Sequence, residues 1–471
     1  MSGQILLPGS TGHNGCGQQT TLGVMGGGQL GRMFVQAAQA MGYFTAVLDP
    51  DVISPAGLVS HYHIQTDYLD QQGLAQMLQR CAAITTEFEN VPAPALVTLG
   101  AARPTAPAAD AVAVAQDRIK EKAHLARSGV PVAPFAVIET LAQLAAVADD
   151  LLPGILKTAR LGYDGKGQVR VGSRAELAAA WGTLKQVPCV LEKMLPLACE
   201  CSVIVARGWD GACVNFPPQL NLHRQGILAI TQVYEGNLPP ALIQQAVIAT
   251  RKIAEELRYV GVLCVEFFVL AQDSPECAAL GALVVNEMAP RPHNSGHYTL
   301  DACDVSQFEL QVRTLTGLPL TAPRQHSAAV MLNLLGDLWL LPDNRGQSRI
   351  DSADPKFSQK EFDSDPNGTD LSAIACQIFP FALSLSKGNE GFDKLSPNGN
   401  LLKSVPLDSD PDYSPPWDKV LALPGVHLHL YGKLKASKGR KMGHLTVTAA
   451  TAEQANATAL AAARLLGIEA F

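Results

Sequence analysis

No Cys-x-x-Cys pair occurs among the ten cysteines, no apolar run approaches the roughly 20 residues that a membrane span needs, and positive charge is not in excess. Each absence narrows the function classes. The chain has 36 Lys and Arg against 43 Asp and Glu, a formal charge of -7 at pH 7. Binding to a phosphate backbone is driven by a surplus of Lys and Arg, so a nucleic acid is excluded as the main ligand and any anion site must be local. Without zinc-like spacing, cysteine reads as a small hydrophobe in a reduced, cytoplasmic protein. Residues 1–20 lack a basic segment followed by a long apolar core, so a disordered extension is expected there rather than a signal, and no membrane association is expected.

What is present is apolar bulk, 47% of 471 residues, enough to fill the cores of about two to four domains. Residues 21–25 read as a short buried strand. Gly26, Gly28 and Gly31 then complete a GxGxxG pattern ahead of a helix expected over 32–41, and Asp49 closes the next strand, 45–48. This is the dinucleotide-binding arrangement, acid included. The same glycines serve any strand that turns sharply into a helix and lets backbone amides approach an anion, so a dehydrogenase and another nucleotide enzyme both stay open. Hydride transfer would need reacting residues and a substrate domain in the remaining chain, and neither is recognisable. Residues 84–91 end a further strand with Glu87 and Glu89 two apart, and so on one side of an extended chain.

The sequence Gln-Asp-Arg-Ile-Lys-Glu-Lys at 116–122 opens a helix that Gly129 and Pro131 stop. In the strand 154–158, Lys157 stands among apolar neighbours, where an ammonium is costly unless an anion meets it, which favours a phosphate partner. The run 160–168 alternates glycine with polar residues, a turn whose amides can close over phosphates or simply join two strands. Glu192 precedes a linker and Glu200 follows it, an arrangement suited to a purine edge and a ribose. The helix expected over 243–257 carries a core stripe of Ile243, Val247, Ile253 and Leu257. Glu266 stands alone in the apolar strand 262–270, and Glu287 ends the next. Adjacent antiparallel strands can set these carboxylates side by side, and paired carboxylates facing phosphate oxygens are what magnesium requires. Behind Glu287, residues 288–297 add a guanidinium, an amide, a hydroxyl and two imidazoles.

With Lys122, these features resemble the ATP-grasp superfamily, in which two α+β subdomains clasp ATP and magnesium. The motifs GGGQLGRM (26–33), TEFENV (86–91), LGYDGKGQ (161–168), NLHRQGIL (221–228), NEMAPRPHNSGH (286–297), MLNLLGD (331–337) and YGK followed by GRKMGH (431–444) resemble, in order, the 5-(carboxyamino)imidazole ribonucleotide synthases of microbial purine synthesis. The resemblance covers about 21–340 and 416–471. It implies an α/β and α+β architecture: a Rossmann-like (pre-ATP-grasp) parallel-sheet domain at 21–115, an ATP-grasp domain at 116–340 with a small lid subdomain at about 150–210, and a small β-rich C-terminal domain at 416–471. It also implies a cytoplasmic homodimer that joins bicarbonate to the amine of 5-aminoimidazole ribonucleotide through carboxyphosphate, converting ATP to ADP and phosphate.

Residue by residue, the resemblance implies that Lys122 and Lys157 hold ATP phosphates, that Glu192, Lys193 and Leu195 lie at the adenine hinge, that Glu200 binds the ribose hydroxyls, and that Asn286 borders the nucleotide. Glu266 and Glu287 would hold Mg2+. Lys166, Arg291, His293 and Asn294 would face bicarbonate and carboxyphosphate. Gln29, Leu30, Glu87, Tyr163 and Asp164 would contact the aminoimidazole ribonucleotide, whose phosphate would meet Lys433, Arg440 and Lys441. Lys166 departs from the arginine usual at its place, and a point charge cannot give a bidentate fork.

Between 341 and 415 the resemblance lapses. This stretch is rich in Asp, Ser, Asn, Pro and Gly around an apolar island at 373–385, a composition that cannot offset its ordering entropy, so a disordered or loosely packed insertion is expected. A partner-binding tail or a lid is its functional alternative. A strand at 426–431, a basic loop at 433–441 and an alanine-rich helix at 449–466 close the chain. The rivals to the synthase are another ATP-grasp ligase, such as a biotin carboxylase or a formate-using purine enzyme, an NAD-dependent dehydrogenase, and a catalytically silent nucleotide-binding module.

Overall fold

The computed structural model describes residues 5–10, 19–162, 167–340 and 414–471. The expectations for Tyr163, Asp164 and Lys166, for 341–413, and for 1–4 and 11–18 lie outside the described residues. Met1–Leu338 and Ser414–Phe471 cluster as one unit.

Continuous apolar runs build the first sheet. β1 (Thr21–Met25), β2 (Phe44–Leu48), β3 (Tyr62–Ile64) and β4 (Ala83–Thr86) pair in parallel in the order β3-β2-β1-β4. Every residue of β1 is buried, as befits a parallel strand covered on both faces. The helix Gln29–Ala40 starts directly after Gly28, earlier than the pattern suggests, and buries Met33, Phe34, Val35 and Ala38. β4 stops at Thr86, so Glu87 and Glu89 leave the sheet and do not share a strand face. The expectation of disorder over 1–20 is corrected at Leu6. Its side chain is buried, its N–H donates to the Thr316 carbonyl at 2.9 Å, and its own carbonyl accepts from the Tyr43 hydroxyl at 2.6 Å. Burial of an apolar side chain, with its backbone partners satisfied, anchors this segment.

A second, antiparallel sheet holds β5 (Phe135–Ile138), β6 (Gly154–Thr158), β7 (Gln168–Val171) and β8 (Cys189–Lys193) in the order β5-β8-β6-β7. Leu156 and Leu191 pack there against Leu177 and Trp181 of the helix Arg174–Thr183. Ser173 caps that helix by accepting from the Glu176 amide at 3.3 Å.

The third sheet collects β9 (Leu197–Arg207), β10 (Cys213–Asn215), β11 (Gln219–Arg224), β12 (Ile227–Val233), β13 (Gly261–Leu270), β14 (Leu283–Ala289), β15 (Ala328–Leu335), β16 (Val426–Leu430) and β17 (Lys441–Ala449). Its order is β14-β13-β9-β11-β12-β15-β17-β16, with β10 on β9. Strands from both sides of 341–413 therefore share one sheet through the β15–β17 pairing. The helix Pro240–Glu256 opens on a proline, tolerated where no amide partner is needed, and packs Ala246, Ile253 and Ala254 into the core with Val203, Val205 and Val265. The last helix is Ala452–Leu466 instead of starting at 449, because β17 runs to Ala449 and Thr451 caps the helix through the Gln454 amide. Cys81, Cys189, Cys201 and Cys264 sit in apolar cores. Among the described residues no helix is long and apolar enough to cross a membrane.

Candidate active site

The glycine loop carries its own anion. After β1 the chain turns at Gly26, whose φ of +102° favours glycine. Glu87 then accepts from the Gly28 amide at 2.6 Å and from the Gly31 amide at 2.8 Å, while Asp49 accepts from the Gly27 amide at 2.7 Å. A methyl group on Gly28 would overlap the Glu87 carboxylate. Burial pushes the Glu87 carboxyl up, only partly countered by the two amides. The amides that a dinucleotide pyrophosphate would take are filled from within, and the dehydrogenase reading loses its binding site.

Chain ends meet at this loop. Lys433 Nζ donates to Gln29 Oε1 at 2.6 Å and to the Lys441 carbonyl at 2.6 Å. Leu30 packs beside Met33, Phe308 and Tyr431. Arg440 is exposed, and its Nη1 donates to the Lys435 carbonyl at 2.6 Å, so its guanidinium is engaged within its own loop.

A buried ion cluster joins the second and third sheets. Lys157 and Glu192, diagonal neighbours across β6 and β8, approach to 3.1 Å. The same Glu192 oxygen lies 3.3 Å from Lys122 Nζ, and Arg118 Nη1 stands 3.9 Å from the other. Burial pushes the Glu192 carboxyl up, yet Lys122, Lys157 and Arg118 together override it and hold it at about 2. Burial also lowers the Lys157 ammonium, a change that Glu192 only partly offsets.

Lys122 does not face the cleft as expected. It is 0% exposed and donates to the Asn286 carbonyl at 2.8 Å, tying the helix Arg118–Arg127 to β8 and β14. Arg118 stands toward the open side instead. An arginine at the first position of a helix, where the dipole disfavours a cation, was the available sign of it. Lys193 is drawn to Glu276 at 3.1 Å, and Leu195 packs with Ala133, Leu270 and Val284.

The antiparallel register of β13 and β14 sets Glu266 opposite Glu287. Glu266 lies 2.8 Å from His293 Nε2, and Glu287 lies 3.2 Å from Arg118 Nη1. Burial pushes the Glu266 carboxyl up, but His293, with His223 and Lys441, outweighs it and holds it at about 2. These cross-strand residues offer hard carboxylate oxygens, the ligand type that magnesium takes. Beside them Glu121, absent from the sequence reading, accepts from the Met288 amide at 2.7 Å, and burial raises its carboxyl to about 7.

Arg291 Nε donates to Glu89 Oε2 at 2.5 Å. Burial works against the guanidinium charge, but Glu89 prevails and keeps it firmly protonated. His293 Nδ1 lies 2.9 Å from Ser295 Oγ, itself 2.8 Å from Ser202 Oγ. On β9 and β11, Glu200 Oε2 approaches His223 Nδ1 at 3.2 Å. Burial lowers that imidazole, and Glu200, with Glu266 and Glu287, more than reverses the effect. Asn286 Oδ1 and both amide atoms of Asn294 are buried with no hydrogen-bond partner among the described residues. Arg118, Glu121, Glu266, Glu287, Arg291 and His293 line one cleft, where cations and oxygen ligands can meet a polyphosphate.

The comparisons agree along the chain. An ATP-grasp domain model matches residues 123–308, a ribonucleotide synthetase preATP-grasp domain model matches 19–116, and a phosphoribosylaminoimidazole carboxylase C-terminal domain model matches 403–458. The chain is 42% identical over 325 residues to an N5-carboxyaminoimidazole ribonucleotide synthase of Brucella melitensis biotype 1, covering 68% of this chain and 86% of that protein. Its fold is similar to that of an N5-carboxyaminoimidazole synthetase from Staphylococcus aureus complexed with ADP, with a TM-score of 0.74 at 31% identity and coverage of 98% and 99% of the two chains. It is also similar to an N5-carboxyaminoimidazole synthase from Aspergillus clavatus in complex with ADP and 5-aminoimidazole ribonucleotide, with a TM-score of 0.72 at 26% identity and coverage of 95% and 99%. With its parallel sheet, its ion-lined cleft and this degree of identity, the chain belongs to the N5-carboxyaminoimidazole ribonucleotide synthase family of ATP-grasp ligases.

Proposed function

We propose that this ligase joins bicarbonate to the amine of 5-aminoimidazole ribonucleotide in purine biosynthesis, and that the cleft holding Arg118, Glu287 and Arg291 is where it does so. A bicarbonate oxygen attacks the γ-phosphorus of ATP, ADP leaves with the electron pair of the broken P–O bond, and carboxyphosphate forms. The amine nitrogen then bonds to the carboxyl carbon, directly or after its release as carbon dioxide. Phosphate departs, and the nitrogen loses a proton. Phosphoryl transfer asks for positioning and charge neutralisation more than covalent help.

The observation that carries this reading is the register that sets Glu266 opposite Glu287, within one cleft with Arg118 and Arg291. Glu266 and Glu287 would hold Mg2+, which would neutralise charge on the phosphates. Arg118 and Lys157 face the phosphates, and Glu200 takes the ribose hydroxyls. Arg291 and His293 face bicarbonate and carboxyphosphate, while the unpartnered Asn286 oxygen and Asn294 amide are offered to the ligands. Gln29, Leu30, Glu87, Lys433 and Lys441 border the ribonucleotide; Arg440 reaches its phosphate only by leaving the Lys435 carbonyl. Roles for Tyr163, Asp164 and Lys166 rest on their motif alone.

In this reading 21–115 is the pre-ATP-grasp domain, 116–340 the ATP-grasp domain with its lid at about 150–210, and 416–471 completes the ribonucleotide site through Lys433. The family resemblance supports a homodimer in the cytoplasm. Incubation with ATP, magnesium and bicarbonate is expected to release ADP only when aminoimidazole ribonucleotide is added. Equal release without it would sink the assignment.

A further inference from the structure

A group of histidines stands apart from the residues assigned to ATP, bicarbonate and ribonucleotide. His427 and His429, two apart on β16, share one face of the sheet. His429 lies directly across from His444 on β17. Asp301, from the short helix Thr299–Ala302, approaches the two β16 histidines from the neighbouring segment: its carboxylate is 2.9 Å from His429 Nε2 and 3.7 Å from His427 Nδ1. One ligand atom each from Asp301, His429 and His444 falls within 4.8 Å of the others.

We propose that Asp301, His429 and His444, with His427 beside them, form a binding site for one transition-metal dication of the Zn2+ class, separate from the Glu266 and Glu287 pair. Imidazole nitrogens with one carboxylate select zinc, cobalt or nickel over magnesium, which takes hard oxygens and keeps its waters. Two imidazoles from a His-x-His strand with a third from the adjacent strand supply nitrogens on one sheet face. The Asp301 carboxylate adds an oxygen donor to His429 and His444, and His427 Nδ1 lies 3.7 Å from it at the edge of the group.

His444 is prepared for this. It is fully buried, its Nδ1 lies 3.0 Å from the Tyr431 hydroxyl, and its Nε2 has no hydrogen-bond partner among the described residues. With Nδ1–H donating to the phenol oxygen, the Nε2 lone pair is left unused by the protein and the ring is held in place, the role an outer hydrogen bond plays at metal sites.

One adjustment is needed. The His429 and His444 rings stack with centroids 4.5 Å apart and planes 12° apart, an arrangement in which their in-plane lone pairs run parallel. Binding therefore requires the His429 ring to turn about its Cβ–Cγ bond. That side chain is 33% exposed and has room to do so.

The test uses the full-length protein, stripped with a chelator and titrated with Co2+ while saturating Mg2+ and ADP occupy the carboxylate pair. A visible d–d absorption band saturating at one equivalent is expected, and Zn2+ should abolish it. His429→Ala and Asp301→Asn should each weaken Co2+ at least tenfold, with ADP affinity unchanged as the control for folding. No band in the parent protein, or the same band and affinity in both variants, overturns the site.

Discussion

Glu89 accepts a hydrogen bond from Arg291 Nε at 2.5 Å, so the loop that follows β4 aims a guanidinium carried by the loop that follows β14. The first sheet thus contributes to the cleft lined by Arg118 and Glu287 without touching the glycine loop's own anion. Arg291 Nη1 also donates to the Pro292 carbonyl at 3.2 Å, and the other N–H groups of the guanidinium can meet a second anion.

Glu89→Gln is accordingly expected to lower kcat by about 10- to 100-fold, the scale of a misplaced catalytic group, while KM for ATP changes little. Steady-state kinetics with each substrate varied measures this. An unchanged kcat would show that Arg291 needs no such support.

Glu287→Gln should lose ATP turnover far more than ribonucleotide affinity, since the change removes an oxygen ligand's charge beside Arg118 and leaves the Gln29 and Lys433 contact untouched. ADP release and equilibrium ribonucleotide binding, measured on the same preparation, separate the two. Parental ADP release would take Glu287 out of the metal site.

Lys433→Ala should weaken the ribonucleotide by about tenfold or more, as loss of a charge-assisted phosphate contact implies. Turnover at saturating ribonucleotide should be less affected. The assignment of Lys433 fails if the apparent affinity stays the same.

Acid should unfold the protein partly through Glu192. Its carboxyl is held at about 2 against an ordinary 4.5, so the ionised form stabilises the fold above pH 4.5 and that contribution is lost as pH falls toward 2. The difference corresponds to about 3 kcal/mol at 1.36 kcal/mol per pK unit. Glu192→Gln, which strands Lys122 and Lys157 without their counter-ion, should lower the urea midpoint at pH 7 and converge on the parent near pH 2. A gap that stays constant across that window would assign the stability elsewhere.

Much of this was legible in the chain. Strand β1, the glycine turn and the carboxylates of β13 and β14 are local patterns, and an antiparallel pair of strands was enough to foresee Glu266 beside Glu287. Two readings went astray for one reason. Lys122 alone was expected at the ATP phosphates, but packing against Asn286 and Glu192 buries it, and the Arg118 guanidinium, which was given no role, lines the cleft instead. Glu87 and Glu89 looked like partners on one strand face, yet the strand ends before them and each finds a different partner.

Residue type and spacing by themselves determined that a buried strand turns on glycine, that a lone acid interrupts β13, and that a proline-stiffened run of cation, amide and imidazole follows Glu287. Only the tertiary structure decided that the glycine amides hold Glu87, that Lys433 reaches Gln29 across 404 positions of sequence, and which cation lies in the open cleft. The cost of burying a charge and the partner that offsets it come from segments distant in the chain, and no local pattern specifies those encounters.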